Sequence, residues 1–189
     1  NLAPHTKTVK KAWDDFFKKT YDIKVKGIGF LTNKEIITAT DVSILAISDK
    51  RANVYASVTD APGERSELSF FMSFGYDFFI GPDNYATEFA GMKKILNDFS
   101  MEFLTDFYGS EASRITNEIK DLEKDIKKNN KDIKQNTRKA RKKSSEVASG
   151  MQAKNTSLQM ENDQKKIKIS DLVKEIETIK IKQAGVTRN

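Results

Sequence analysis

The sequence predicts an α+β fold: an N-terminal helix packed on a small antiparallel sheet of three or four strands, then long helices forming an antiparallel coiled-coil hairpin. Three observations predict it. Apolar residues recur at helical 3–4 spacing over residues 6–20 and again from Tyr85 to about Gln183. Between them, over 21–81, the period falls to two, the mark of strands with one buried face. Eleven of the twelve phenylalanines and the single tryptophan precede residue 104, so the aromatic core belongs to the first hundred or so residues. The division that follows is a head over 1–108 and a helical-hairpin tail over 109–189.

The first helix is set by Val9, Ala12, Trp13, Phe16 and Phe17 on one face, with Thr6 or Thr8 as its cap. Tyr21, Ile23 and Val25 alternate with polar residues and predict a strand. Ile36, Ile37, Val42, Ile44, Leu45 and Ile47 predict one or two more, with Asn33-Lys34-Glu35 as a turn. Val54, Ala56 and Val58 predict the next strand, and Leu68, Phe70, Met72 and Phe74 another. The turn residues Thr59 to Glu64 join those two as a hairpin. Gly81-Pro82 ends the sheet, and Asp83 or Asn84 is expected to cap a helix over 84–108. Gly109-Ser110 predicts a kink or short break, with straight continuation as the alternative.

Beyond it, Ala112, Ile115, Ile119, Leu122 and Ile126 form one apolar stripe, continued by Asn129, Ile133, Asn136 and Ala140. Ile169, Leu172, Ile176 and Ile179 form another. Ser144, Ser145, Ser149 and Gly150 are the expected turn; if it lies near 148–150, the numbers of facing residues add to about 298. That pairs Ile126 with Leu172, Leu122 with Ile176 and Ile119 with Ile179. Whether the tail pairs within one chain or between two chains stays open at this level.

Chemistry leaves few traces. Without cysteine there are no disulfides, thiolates or Cys-based metal sites. The single histidine, His5, cannot form a histidine metal cluster or a Cys–His pair. Gly27-Ile28-Gly29-Phe30-Leu31-Thr32 lacks the third glycine and the following helix of a dinucleotide loop. We therefore expect no enzyme, no catalytic residues, no cofactor and no metal. No apolar run approaches the roughly 20 residues that span a bilayer.

Two features suggest contacts. Lys127, Lys128, Lys131, Lys134, Arg138, Lys139, Arg141, Lys142 and Lys143 stand against Asp132 alone, a net +8 over 127–143. Their expected role is either a solvated face partly neutralised by Glu146, Glu161 and Asp163 across the hairpin, or a contact for anionic lipid, acidic glycan, acidic protein or nucleic acid. No aromatic is interleaved and no base-reading motif is present, so sequence-specific nucleic-acid binding is not expected. The second feature is an aromatic cluster whose Phe71, Tyr76, Phe78 and Phe79 form a candidate partner patch, with core as the alternative.

The segments AWDDFFKKTYDIKVKG, ANVYASVTD and ELSFFMSFG, with the charged helices after residue 110, loosely resemble uncharacterised exported bacterial proteins with a small α+β head and a helical-hairpin tail. The resemblance implies no activity and no site. The chain opens on Asn1 rather than methionine. The expectation is a periplasmic or secreted location, with a cytoplasmic one as the alternative. The function expected is a non-enzymatic binding or structural module, its tail a spacer, a protein-interaction surface or a site of self-association. A polyanion-binding module acting through 127–143 is the alternative.

Overall fold

The computed structural model describes residues 4–28, 33–62, 65–75 and 78–186. The chain divides into two compact units, Asn1–Thr105 and Asp106–Asn189. The architecture is α+β with a helical hairpin: helix α1 (Thr6–Tyr21), strands β1 (Lys26–Ile28), β2 (Asn33–Ser43), β3 (Arg51–Ala61) and β4 (Arg65–Ser73), then helices α2 (Ala86–Ala140) and α3 (Ser145–Val186).

In the first unit the strands form one antiparallel sheet in chain order, β1-β2-β3-β4. The period-two pattern decides which face is inside. Ala52, Val54, Ala56 and Val58 of β3, Ile37 and Ala39 of β2 and Met72 of β4 are buried. They pack with Val9, Trp13, Phe16 and Phe17 of α1 and with Met92, Ile95 and Phe99 at the start of α2. Trp13 is the centre: its ring lies 4.5 Å from Phe17, 5.2 Å from Phe70 and 4.9 Å from Phe99, the last two edge-on. Gly91 allows α2 to come close, because a Cβ there would stand 3.2 Å from the Ala46 carbonyl oxygen.

Several local expectations are corrected. Thr6 and Thr8 lie inside α1; its cap is His5, whose carbonyl accepts the Thr8 and Val9 N–H groups and whose side chain takes no part. Residues 22–25 are not a strand, although Ile23 and Val25 are buried. Asn33-Lys34-Glu35 begins β2 instead of making a turn, and 44–47 is a turn that leaves Leu45 exposed. Asn84 does not cap the helix: it accepts from the Gly81 N–H and donates to the Phe79 carbonyl, fastening the exit from the sheet. The Gly27–Thr32 stretch falls mostly outside the described residues.

Helix α1 ends where Asp22 takes the left-handed conformation, φ 55°. Its N–H bonds the Lys18 carbonyl, and the Ile23 N–H bonds that of Phe17, so the last turn is satisfied. A side chain is costly in that conformation and glycine is not. Asp22→Gly is expected to raise the stability of the unit by up to about 1 kcal/mol, read as a higher urea midpoint. The exposed Lys18–Asp22 ion pair it removes offsets little of this.

In the second unit α2 continues unbroken past Gly109-Ser110, so straight continuation holds and the break does not form. One glycine costs a helix interior about 1 kcal/mol, too little to interrupt a run of this length. The return turn is at 141–144, and Ser149 and Gly150 lie within α3. The register changes with it. Facing residues now add to 291: Asn129 Nδ2 donates to Asn162 Oδ1 at 3.0 Å, and Asn136 Nδ2 to Asn155 Oδ1 at 3.0 Å. Ile119 therefore faces Leu172, and Leu122 faces Ile169, seven residues from the pairing expected. A seven-residue slip restores the same apolar face, which is why both registers satisfy the stripes. Ile115, Leu172 and Ile179 are buried in this seam, together with Asn129 and Asn162.

Candidate functional site

The seam of α2 fixes where its charges point. With Ile115, Ile119, Leu122, Ile126, Asn129, Ile133, Asn136 and Ala140 turned toward α3, the residues between them occupy the opposite side. All nine of Lys127, Lys128, Lys131, Lys134, Arg138, Lys139, Arg141, Lys142 and Lys143 are exposed. Arg141, Lys142 and Lys143 lie just beyond the helix, where the Lys142 and Lys143 N–H groups bond back to the Lys139 and Ala140 carbonyls.

The expected neutralisation across the hairpin does not form. Glu161 binds Lys165 at 2.7 Å, and that ammonium holds its carboxyl below the ordinary range. Asp163 binds Lys166 at 2.9 Å, with the same effect on its carboxyl. Both acids are thus held by lysines of their own helix, because the i,i+3 and i,i+4 partners are nearer than the facing arm. Among the described residues, the ion pairs that cross the hairpin are Lys165–Asp125 at 3.2 Å and Lys168–Glu118 at 2.7 Å, both on the side of the basic run away from the turn. Among the described residues, no salt bridge involves any of the nine basic side chains or Glu146.

Sequence reasoning counted this charge but missed its phase. Lys120, Lys124, Lys127, Lys131, Lys134, Arg138 and Arg141 are spaced 4, 3, 4, 3, 4, 3. That is the spacing of the apolar seam, displaced to the back of the helix. The six on α2 form one row of about 27 Å, with a charge roughly every 5 Å. Lys120 and Lys124 fell outside the stretch defined by net charge, because Asp121, Glu123 and Asp125 dilute it there. Lys124 is partnered by Asp121 at 2.8 Å.

Phe71 and Phe79 lie on the sheet face away from α1. Phe71, Phe78 and Phe79 are 53%, 62% and 52% exposed, and Tyr76 lies outside the described residues. Tyr55 pairs across the strands with Phe71, and its ring is 6.0 Å from that of Phe79. Ile36 of β2, 53% exposed, belongs to the same face and was missed. Its signal was available, since Ile36 precedes Ile37 and two neighbours on a strand cannot share a face.

Among the described residues no group of three or more His, Asp or Glu side chains could hold a metal ion. No helix among them is long and apolar enough to cross a membrane. No family model, no curated protein and no solved structure matches the chain.

Proposed function

We propose that the protein is a non-enzymatic binding module and that the basic stretch 127–143, on the end of α2 and the turn after it, is its contact for a polyanionic partner. One observation carries the reading: nine exposed basic side chains on one short stretch with no acidic group bound to them. Holding that much like charge together costs stability at low ionic strength, and a bound polyanion would relieve it while releasing counterions. The stretch offers no bulky apolar face to insert into a bilayer, its one large apolar residue, Ile133, being a seam position.

The test is charge reversal. Replacing Arg138, Lys139, Arg141, Lys142 and Lys143 with glutamate is expected to abolish retention on a polyanionic matrix at low salt. The parent chain is expected to bind and to elute steeply as salt rises. Retention that ignores the reversal would sink the reading. The structural reading, with the chain acting through a protein partner, has one observation of its own. The face bearing Ile36, Tyr55, Phe71 and Phe79 is an aromatic surface left uncovered on one side of a packed sheet.

A further inference from the structure

The row on α2 has a pitch, and a pitch selects among polyanions. We infer that it takes a linear acidic polysaccharide, a chain bearing one carboxylate or sulfate per sugar, laid along the helix. This rests on the polyanion reading and narrows it. Lys120, Lys124, Lys127, Lys131, Lys134 and Arg138 recur about every 5 Å along one edge of the helix, Lys124 held by Asp121 and the other five in no salt bridge among the described residues. An extended peptide places its side chains about every 3.3–3.6 Å and alternates them between two sides, so an acidic peptide would match few of the six. A DNA duplex carries a phosphate about every 3.4 Å on each strand, and those strands wind away from a straight edge. A single-stranded nucleic acid matches a groove in which bases stack on aromatic rings, and none is interleaved here. A sugar ring is a longer repeat unit than an amino acid, and its chain needs no stacking platform. The row is mostly lysine, whose compact charge accepts a sliding chain, whereas arginine favours fixed bidentate geometry.

The experiment uses the full chain and polygalacturonate oligomers of increasing length, titrated calorimetrically at low salt. Affinity is expected to rise with length until the oligomer covers the row, at about six or seven sugars, and then to level off. Two double variants separate pitch from charge. Lys131→Gln with Lys134→Gln removes two members of the row; Lys154→Gln with Lys180→Gln, the flanking variant, removes two exposed charges from α3 instead. All four residues are exposed, so both variants should keep the helical circular dichroism of the parent. The row variant is expected to lose at least tenfold in affinity and to flatten the salt dependence. The flanking variant should lose no more than about threefold, the change expected of charge at a distance through salt. Equal losses in the two variants would overturn the inference while leaving the polyanion reading intact. Tighter binding of duplex DNA, polyglutamate or phosphatidylserine vesicles would do the same. Failure of all four polyanions to bind would overturn both.

Discussion

Replacing Trp13 with alanine is expected to destabilise the head by about 3–5 kcal/mol, the cost of truncating a fully buried large aromatic. Trp13 is 0% exposed and touches rings from three elements: Phe16 and Phe17 of its own helix, Phe70 of β4 and Phe99 of α2. Truncation leaves a cavity at the point where they meet. Backbone elements fixed by a sheet ladder and two helices cannot collapse to fill it. Since domains of this size hold only about 5–15 kcal/mol in total, the variant should be marginal or unfolded at 37 °C. Urea denaturation followed by circular dichroism and amide exchange in β3 would report it. Phe71→Ala is the control. It removes an aromatic from the same sheet, but from the exposed face, and should cost about 1 kcal/mol or less. If Trp13→Ala costs no more than that control, α1 is not the lid of the core. The indole N–H adds a detail, for it is buried with no hydrogen-bond partner among the described residues. Trp13→Phe should therefore be milder than the loss of ring volume alone implies.

The fold was legible in the sequence where periodicity carried it. The alternation in β3 and β4 and the stripe Val9, Trp13, Phe16, Phe17 each name a buried face, and those faces meet. Legibility failed where two local rules compete. Asn33-Lys34-Glu35 has turn composition, yet Asn33 pairs with Ile28 of β1 and the ladder with β3 begins at Ile36, so the segment is held in the strand. Ile23 and Val25 alternate like a strand but join the core without a ladder, the Val25 N–H bonding the Asp14 carboxylate instead. The site shows a different failure. Net charge located the basic run, but charge has no natural boundary, so its ends were set by composition. The heptad phase of the seam picks out a different set, the row from Lys120 to Arg138 on α2. That phase could have been read by projecting the basic residues on the helix already inferred from the apolar ones.

The tail register is the sharpest case, because the polar seam residues decide it. In the observed register the Asn129–Asn162 and Asn136–Asn155 pairs both close, and the Asn162 and Asn155 amides donate further to Asn130 and Thr137. Slipped by seven residues, Asn129 would face Ile169 and Asn155 would face Lys143. Each orphaned amide would then cost about 1–3 kcal/mol. Replacing Asn129, Asn136, Asn155 and Asn162 together with leucine removes that penalty. The variant should melt higher, on the order of 10 °C, because leucine pairs bury apolar surface where amide pairs do not. It should also lose its single register, since the remaining seam satisfies two. The chain has no cysteine, so introduced pairs report the register directly. Leu122→Cys with Ile169→Cys should cross-link in the parent, and Leu122→Cys with Ile176→Cys should not. The slip moves the arms by about 10 Å, beyond disulfide reach. In the leucine background both pairs should cross-link. A leucine variant that still closes only the first pair would mean that the turn at 141–144 holds the register. The asparagines would then be a cost in stability with no return in specificity.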